Sequence, residues 1–331
     1  VIGAGMIAGY HLGGLAAVPM AVVRVIVGRR PEATRALADR HGIAEAGVDI
    51  DAALARADVD AVVITTPDDT HADIAMRAAA AGKAILLQKP MARDRPEAER
   101  VVLAARAAGV DLQVSFMHRY FEEVIEAQRL LADGAIGRVT ALRLRNATPG
   151  PDWGDWFFKR DRVAGGVVPQ LGVHGIDLVG LLAGPITGVS ARTATLVAAR
   201  RLADGREVAV ENPDSAWAIY DLASGAVACH EMSMIEPAGT DRFRLEIQGT
   251  EGVMWLRAEP GRLVWRRPGD ADWRRVDPPD PPPGQRQHQT WIDGLTGRAP
   301  PETTAADALQ GMAVVDAIQR SADRGGLRVA P

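Results

Sequence analysis

The first residues able to do chemistry are small ones. The chain opens Val1-Ile2-Gly3-Ala4-Gly5-Met6-Ile7-Ala8-Gly9, a G-x-G-x-x-A pattern with an apolar approach before it and a helical pattern after it. In that setting the first glycine permits a tight turn out of a strand. The second lets a phosphate reach the backbone, and the small Ala8 lets helix and strand pack closely. The helix start offers unsatisfied N–H groups and the positive end of its dipole, which suits a pyrophosphate. Gly3, Gly5, Met6 and Ile7 are therefore candidate dinucleotide contacts. The plain alternative is a glycine-rich turn that binds nothing. An acidic residue about 20 positions further on would hold the ribose 2′-hydroxyl of NAD. Here the second strand ends Gly28-Arg29-Arg30-Pro31, without a carboxylate. Two guanidinium groups suit a 2′-phosphate. NADP(H) is the favoured cofactor, and NAD(H) stays open if Arg29 and Arg30 are ordinary surface charges and Glu32 takes the ribose.

A phosphate loop of this kind needs a buried parallel sheet behind it. The runs 22–27, 61–65, 84–87 and 112–116 are continuous and apolar or β-branched, as strands covered on both faces are. Helical patterns at 31–41, 71–81 and 96–108 lie between them. Pro31 and Pro96 suit a first helical turn, and Gly82 and Gly109 suit helix ends. This alternation predicts a doubly wound α/β domain of Rossmann type. The second half reads differently. Strand-like runs at 215–221, 226–234, 243–248, 253–257 and 262–267 are joined by Ser224-Gly225, Gly249-Thr250-Glu251-Gly252 and Pro260-Gly261, which predicts an antiparallel meander. Helices are expected at 287–295 and 305–324, with Thr304 as an N-cap. The proline-rich stretch 277–284 is an extended loop. The expected division is a dinucleotide-binding domain over 1–118 and a second domain over 119–331, whose final helices can pack back toward the first.

Composition narrows the partners. The chain has 331 residues, enough for two domains, with 47% hydrophobic and 24% charged residues and a net charge of −4. No Lys/Arg-rich run points to nucleic acid. One cysteine, Cys229, excludes an internal disulfide framework and argues against a zinc site. No apolar run reaches the roughly 18 residues of a membrane helix. The chain starts directly on a strand with no leader read, so a cytoplasmic protein is expected. The His, Asp and Glu spacings suggest no metal.

Further motifs then appear in order: Thr65-Thr66-Pro67-Asp68-Asp69-Thr70-His71, Gln88-Lys89-Pro90, Gly134-Ala135-Ile136-Gly137-Arg138-Val139, Gly165-Gly166, Gln170-x-x-x-His174-x-x-Asp177 and Glu246-Ile247-Gln248-Gly249-Thr250-Glu251-Gly252. With the phosphate loop, this series resembles the glucose–fructose oxidoreductase/inositol dehydrogenase (Gfo/Idh/MocA) family over essentially the whole chain. The resemblance implies an N-terminal domain that binds NAD(P). It also implies a C-terminal α/β domain with a large, mainly antiparallel open sheet that carries substrate and builds a homodimer or homotetramer. It implies that Lys89, from the family's Glu-Lys-Pro motif, and His174 are catalytic, that the Lys89–Pro90 bond is cis, and that an Arg near Arg119 helps form the site. Oxidising a secondary alcohol takes a hydride from carbon and a proton from oxygen. An imidazole titrates near neutrality and can take that proton. A lysine can stabilise the alkoxide, or act as the base if burial lowers its pKa.

Two residues depart from the family pattern. Gln88 stands in place of Glu, so Lys89 is expected to lose its proton more easily than in relatives. Gln170 stands in place of Asp. At i and i+4 of a helix, Gln170 and His174 share a face; the amide can exchange hydrogen bonds with a substrate hydroxyl but cannot remove a proton. Asp177 is read as a structural hydrogen-bonder. Each choice has a plain counterpart. His174 can be a satisfied structural histidine and Lys89 a surface lysine. Thr65, Thr66, Pro67, His71, Gln88 and Lys89 are candidate cofactor contacts at the strand ends, and Thr65, Thr66 and His71 can instead merely cap the helix near His71. Arg119, Trp153, Trp156 and Lys159 are candidate substrate contacts, the aromatic ones suiting the C–H faces of a sugar, although the cluster with Phe157 and Phe158 can equally be core or interface. His288 is a lone late histidine able to reach the pocket. The leading function is an NAD(P)-dependent dehydrogenase or reductase of a sugar, inositol or related polyol or ketone. The alternatives are a sugar enzyme that oxidises transiently with bound cofactor, and a non-catalytic dinucleotide-sensing regulator.

Overall fold

Continuous apolar runs are satisfied by a sheet buried on both faces. The computed structural model, which describes residues 1–237, 243–258, 261–300 and 304–331, contains such a sheet. The chain divides into two units: Val1–Tyr120 with Pro281–Leu309, and Phe121–Asp280 with Gln310–Pro331. The first unit begins α1 (Met6–Ala16), β1 (Val25–Val27), α2 (Pro31–Arg40), β2 (Glu45–Gly47), α3 (Ile50–Leu54), β3 (Ala61–Ile64), α4 (His71–Ala80), β4 (Ala84–Gln88), α5 (Arg95–Ala108) and β5 (Leu112–Ser115). β1 pairs with β2, and β3, β4 and β5 pair in order, all parallel. Ile2 bridges Val27 on one side and Ile64 on the other. The opening residues thus lie mid-sheet, where the direction of winding reverses and ligands of such folds bind. Ile26, Ile64, Ile85, Leu86 and Leu87 are fully buried there. Asp94 caps α5 by accepting from the Glu97 N–H at 2.8 Å, and Gly109 ends it at φ 65°.

The second unit holds α6 (Glu122–Ala132), β6 (Val139–Ala147), α7 (Val173–Ala183), β7 (Ile186–Ala194), β8 (Ala199–Arg201), β9 (Glu207–Ala209), β10 (Ser215–Leu222), β11 (Val227–Ser233), β12 (Phe243–Gly249), β13 (Val253–Ala258), β14 (Gly261–Arg266) and β15 (Arg274–Val276). Eight of these strands form one sheet, ordered β15-β14-β13-β12-β6-β11-β10-β7. The expected uninterrupted meander is corrected here. β6 inserts between β12 and β11, antiparallel to the first and parallel to the second. Local periodicity shows which residues face a core; it does not show which strand lies alongside. Pro260 of the expected turn lies outside the described residues.

One face of this sheet is dry. Leu142, Leu144, Tyr220 and Phe243 pack with Val124 and Ala127 of α6 and Ile176 and Leu178 of α7. The other face is open: along β10 the alternation leaves Trp217 45% and Ile219 50% exposed. The chain closes with α8 (Gln285–Leu295) and α9 (Ala305–Asp323). Trp291 of α8 packs on Leu15, Val63 and Leu86 of the first unit. Thr304 caps α9 as expected: the Asp307 N–H donates to Thr304 Oγ1 at 3.2 Å and the Thr304 N–H to Asp307 Oδ2 at 2.9 Å. Among the described residues, no helix is long and apolar enough to cross a membrane.

Candidate active site

The phosphate loop leaves the middle of the first unit's sheet. Gly3 sits at φ 110°, and a Cβ there would come within 2.6 Å of Thr65 Oγ1 and 2.7 Å of the Thr65 carbonyl. Glycine at position 3 is therefore dictated by the protein itself. Gly5 is different. It has ordinary φ, −84°, and beyond its own chain neighbours nothing lies within 4 Å of where its Cβ would stand. Packing does not explain this glycine, and the open position leaves room for a phosphate to approach the backbone. α1 has no side-chain cap and no acidic residue in its first turn, so the helix start itself carries no side chain that would compete with or repel an anion. Ala8 is fully buried. These residues fit a dinucleotide pyrophosphate.

Thr65 supports this turn rather than capping α4. Its hydroxyl lies 3.2 Å from Ile2 O and 3.1 Å from Gly3 O. His71 is buried, with Nδ1 2.8 Å from Pro90 O and Nε2 2.8 Å from Thr66 O. Both ring nitrogens thus face backbone carbonyls, and the ring braces the Thr66-Pro67 segment against the loop after β4. That loop carries Lys89. The Lys89–Pro90 peptide is cis, as expected, and the Lys89 N–H donates to Gln88 Oε1 at 2.7 Å. The Gln88 Nε2 lies 3.2 Å from His11 Nε2, and His11 Nδ1 lies 2.9 Å from His288 Nε2. His288 therefore has a partner from α1, buried in the first unit, instead of the pocket role considered for it. His11 was not read from the sequence as functional. Its partner is 277 residues away, and the only signal was the amide at position 88.

In the second unit His174 and Asp177 lie on α7, and Gln170 just before it; all three side chains are buried. The expected regular helix through 170–177 is corrected. Val168–Gly172 form a single π-type turn that leads into α7, a wider winding often found at functional sites. Two glycines, Gly172 at the end of that turn and Gly175 in α7, let the segment touch the sheet. A Cβ at Gly175 would run into Asn146, Leu144 and His230, and one at Gly172 into Met232. Beneath it, His230 Nε2 lies 2.8 Å from Asn146 Oδ1 and its Nδ1 2.9 Å from Tyr220 Oη. A proton on Nε2 satisfies both contacts, with the tyrosine donating. Burial pushes this imidazole down to about 3, so the histidine facing Gly172 and Gly175 is uncharged.

Arg29 and Arg30 are exposed at the end of β1, and neither has an ion-pair partner among the described residues. Glu32 lies in the first turn of α2. Arg119 is half-buried in the turn Met117–Tyr120. Trp153 and Trp156 do form one cluster with Phe157, ring centroids 5.5 to 6.0 Å apart. Lys159 is paired with Glu211 at 2.8 Å, and that hydrogen bond pushes its ammonium pKa up. The described residues hold no cluster of His, Cys, Asp and Glu suited to a metal ion.

Known proteins match this architecture along its length. The oxidoreductase-family model described as an NAD-binding Rossmann fold matches residues 1–116, and the GFO/IDH/MocA C-terminal domain model matches residues 124–255. Levoglucosan dehydrogenase from Pseudarthrobacter phenanthrenivorans is 29% identical over 78% of this chain and 73% of its own. Inositol 2-dehydrogenase from Rhizobium meliloti is 30% identical over 77% of this chain and 73% of its own. A solved structure of levoglucosan dehydrogenase in complex with NADH and L-sorbose superposes with a TM-score of 0.91 at 25% identity, covering 99% of this chain and 97% of that one.

Proposed function

Because the chain belongs to the GFO/IDH/MocA oxidoreductase family, we propose that it is a nicotinamide-dependent dehydrogenase acting on a CH–OH group of a sugar, inositol or related polyol, or on the corresponding ketone. The observation that carries this is the phosphate cradle: Gly3 is fixed by its neighbours, Gly5 is open, and the α1 N-terminus is uncapped. The named activities of the levoglucosan and inositol dehydrogenases supply the substrate class. A bound nicotinamide would supply the hydride acceptor or donor. Gly3, Gly5, Met6 and Ile7 would hold its pyrophosphate, with Thr65, Thr66, Pro67, His71 and Gln88 shaping the strand ends around it. Lys89 stabilises the developing alkoxide and His174 takes or returns the hydroxyl proton. Gln170 exchanges hydrogen bonds with a substrate hydroxyl, and Arg119, Trp153, Trp156 and Lys159 are substrate contacts. The test is dinucleotide reduction by the purified protein across a panel of polyols and anhydrosugars. No turnover with any of them, together with cofactor that co-purifies and does not exchange, would favour the transient-oxidation alternative that Gln170 leaves open.

The cofactor is proposed to be NADP(H), with NAD(H) as the alternative. Two unpaired guanidinium groups stand where a ribose-binding carboxylate would otherwise be. Charge-assisted hydrogen bonds contribute about 1.5–3 kcal/mol each. Titration followed by nicotinamide fluorescence should show NADPH bound at least about tenfold more tightly than NADH, and the preference should vanish in Arg29→Ala/Arg30→Ala. Equal affinities in the parent protein would return both arginines to the surface and give the ribose to Glu32.

The open sheet face is proposed as the surface of a homodimer or homotetramer. Trp217 and Ile219 are flanked across the sheet by exposed Val227 and Cys229, and apolar anchors of this kind dominate association. Trp217→Glu/Ile219→Glu should weaken self-association by about a hundredfold or more, read by sedimentation velocity. A parent protein that sediments as a monomer at micromolar concentration would end this proposal.

A further inference from the structure

We propose that Gln88, His11 and His288 form a buried hydrogen-bond relay of one fixed polarity, and that Gln88 is the positioning residue through which it holds the Lys89 backbone. This rests on the reading of Lys89 as a catalytic group. The polarity follows from donors and acceptors alone. The Lys89 N–H can only donate, so Gln88 presents Oε1 to it and Nε2 to His11. An amide NH₂ only donates, so His11 Nε2 must accept and its proton sits on Nδ1. That proton faces His288 Nε2, which accepts. The His288 proton is then on Nδ1, where the Gly284 carbonyl lies at 2.7 Å. Each of these contacts is satisfied with both imidazoles neutral, and in no other arrangement of two neutral rings.

The surroundings are built for this. His11 and His288 are both fully buried, with rings 5.1 Å apart. Gly14 leaves the space that the His288 ring fills; a Cβ there would strike the ring and Gly284. A parallel contact line runs beside it, Tyr10 Oη donating to Gln287 Oε1 at 3.0 Å and Gln287 Nε2 to Ser115 Oγ at 2.8 Å. Burial, then the neighbouring His288, hold His11 well below the ordinary imidazole range, and burial pushes His288 down to about 4. Tyr10, whose ring is 5.3 Å from His11 and 6.0 Å from His288, is itself pushed up by burial and stays neutral. The relay also accounts for the amide at position 88. A glutamate there offers no proton to His11 Nε2, so either His11 becomes a buried imidazolium or the chain of donors reverses and leaves His288 Nδ1 bare against the Gly284 carbonyl.

The test is ¹⁵N NMR of histidine-labelled protein, saturated with NADPH or NADH. The expected spectrum shows both rings protonated on Nδ1 and bare on Nε2, with neither titrating in the ordinary imidazole range. A His11 protonated on Nε2, or one that titrates near neutrality, overturns the relay whatever Lys89 does. In Gln88→Glu the His11 Nε2 should become protonated, either as an imidazolium or in the reversed tautomer with His288 bare on Nδ1. In Gln88→Glu and Gln88→Met, kcat should fall about tenfold with the substrate KM little changed, as for small misplacement of a reacting group. Unchanged kcat and pH profile in both variants overturns the positioning role even if the tautomers are as stated. A fully active Lys89→Met with intact relay signals overturns the catalytic reading instead. Should either Gln88 variant fail to fold, the parent spectrum alone still decides the polarity.

Discussion

Lys89→Met is expected to lower kcat about a thousandfold while leaving the fold and the dinucleotide affinity close to those of the parent protein. Methionine keeps most of the apolar stem and removes the ammonium. The backbone contacts are independent of that ammonium: the Lys89 N–H is held by Gln88, and the next carbonyl, Pro90 O, lies at His71. The term under test is stabilisation of negative charge on the reacting oxygen, and groups that act on the transition state lower kcat and kcat/KM together. Steady-state kinetics on the best substrate of the polyol panel, with dinucleotide titration and far-UV circular dichroism, measure all three quantities. A kcat within about threefold of the parent value, less than 1 kcal/mol in barrier, would remove Lys89 from the chemistry.

The second large effect is on stability. Gly3→Ala is expected to destabilise the protein by about 2–5 kcal/mol, combining a non-glycine residue at left-handed φ with overpacking. The added Cβ would meet Thr65 backbone 2.7 Å away, at a residue itself buried and hydrogen-bonded to the turn. No rotamer change relieves a backbone clash. Gly5→Ala provides the contrast. Its site is open and its φ is ordinary, so the melting temperature should hold while dinucleotide affinity falls. Thermal melts and fluorescence titrations of both variants separate the two cases. A Gly3→Ala protein that melts with the parent would mean that the turn relaxes freely and that its glycine is not structurally required.

Much of this was legible in the residues. β3, β4 and β5 were visible because strands covered on both faces are written as unbroken apolar runs. β2 and α3 were missed because three and five residues are too few to show a period. α6 carries buried Val124, Ala127 and Leu130 at helical spacing, a signal that was present but unread beside the louder motifs. The place of β6 in the sheet was invisible for another reason: Arg145 faces Glu231, and no local pattern reports a partner so far along the chain. The same holds at the candidate site. Gln88 and Gln170 stood out as departures by themselves, but the histidines that give the first its meaning come from opposite ends of the sequence, and the wide turn at Val168–Gly172 leaves no mark in residue spacing.

The return of Pro281–Leu309 to the first unit has a consequence for how the protein is made. A ribosome delivers the phosphate loop and all the parallel strands early, yet Trp291, which covers Leu15, Val63 and Leu86, and His288, which completes the contact with His11, emerge only after the whole of Phe121–Asp280. Domains usually fold as they are synthesised, the N-terminal one first. Here the first unit must wait, with an apolar patch and a buried imidazole both uncovered, until the second has been translated. A fragment ending at Tyr120 would contain every described strand of the first unit and still lack the helix that seals it.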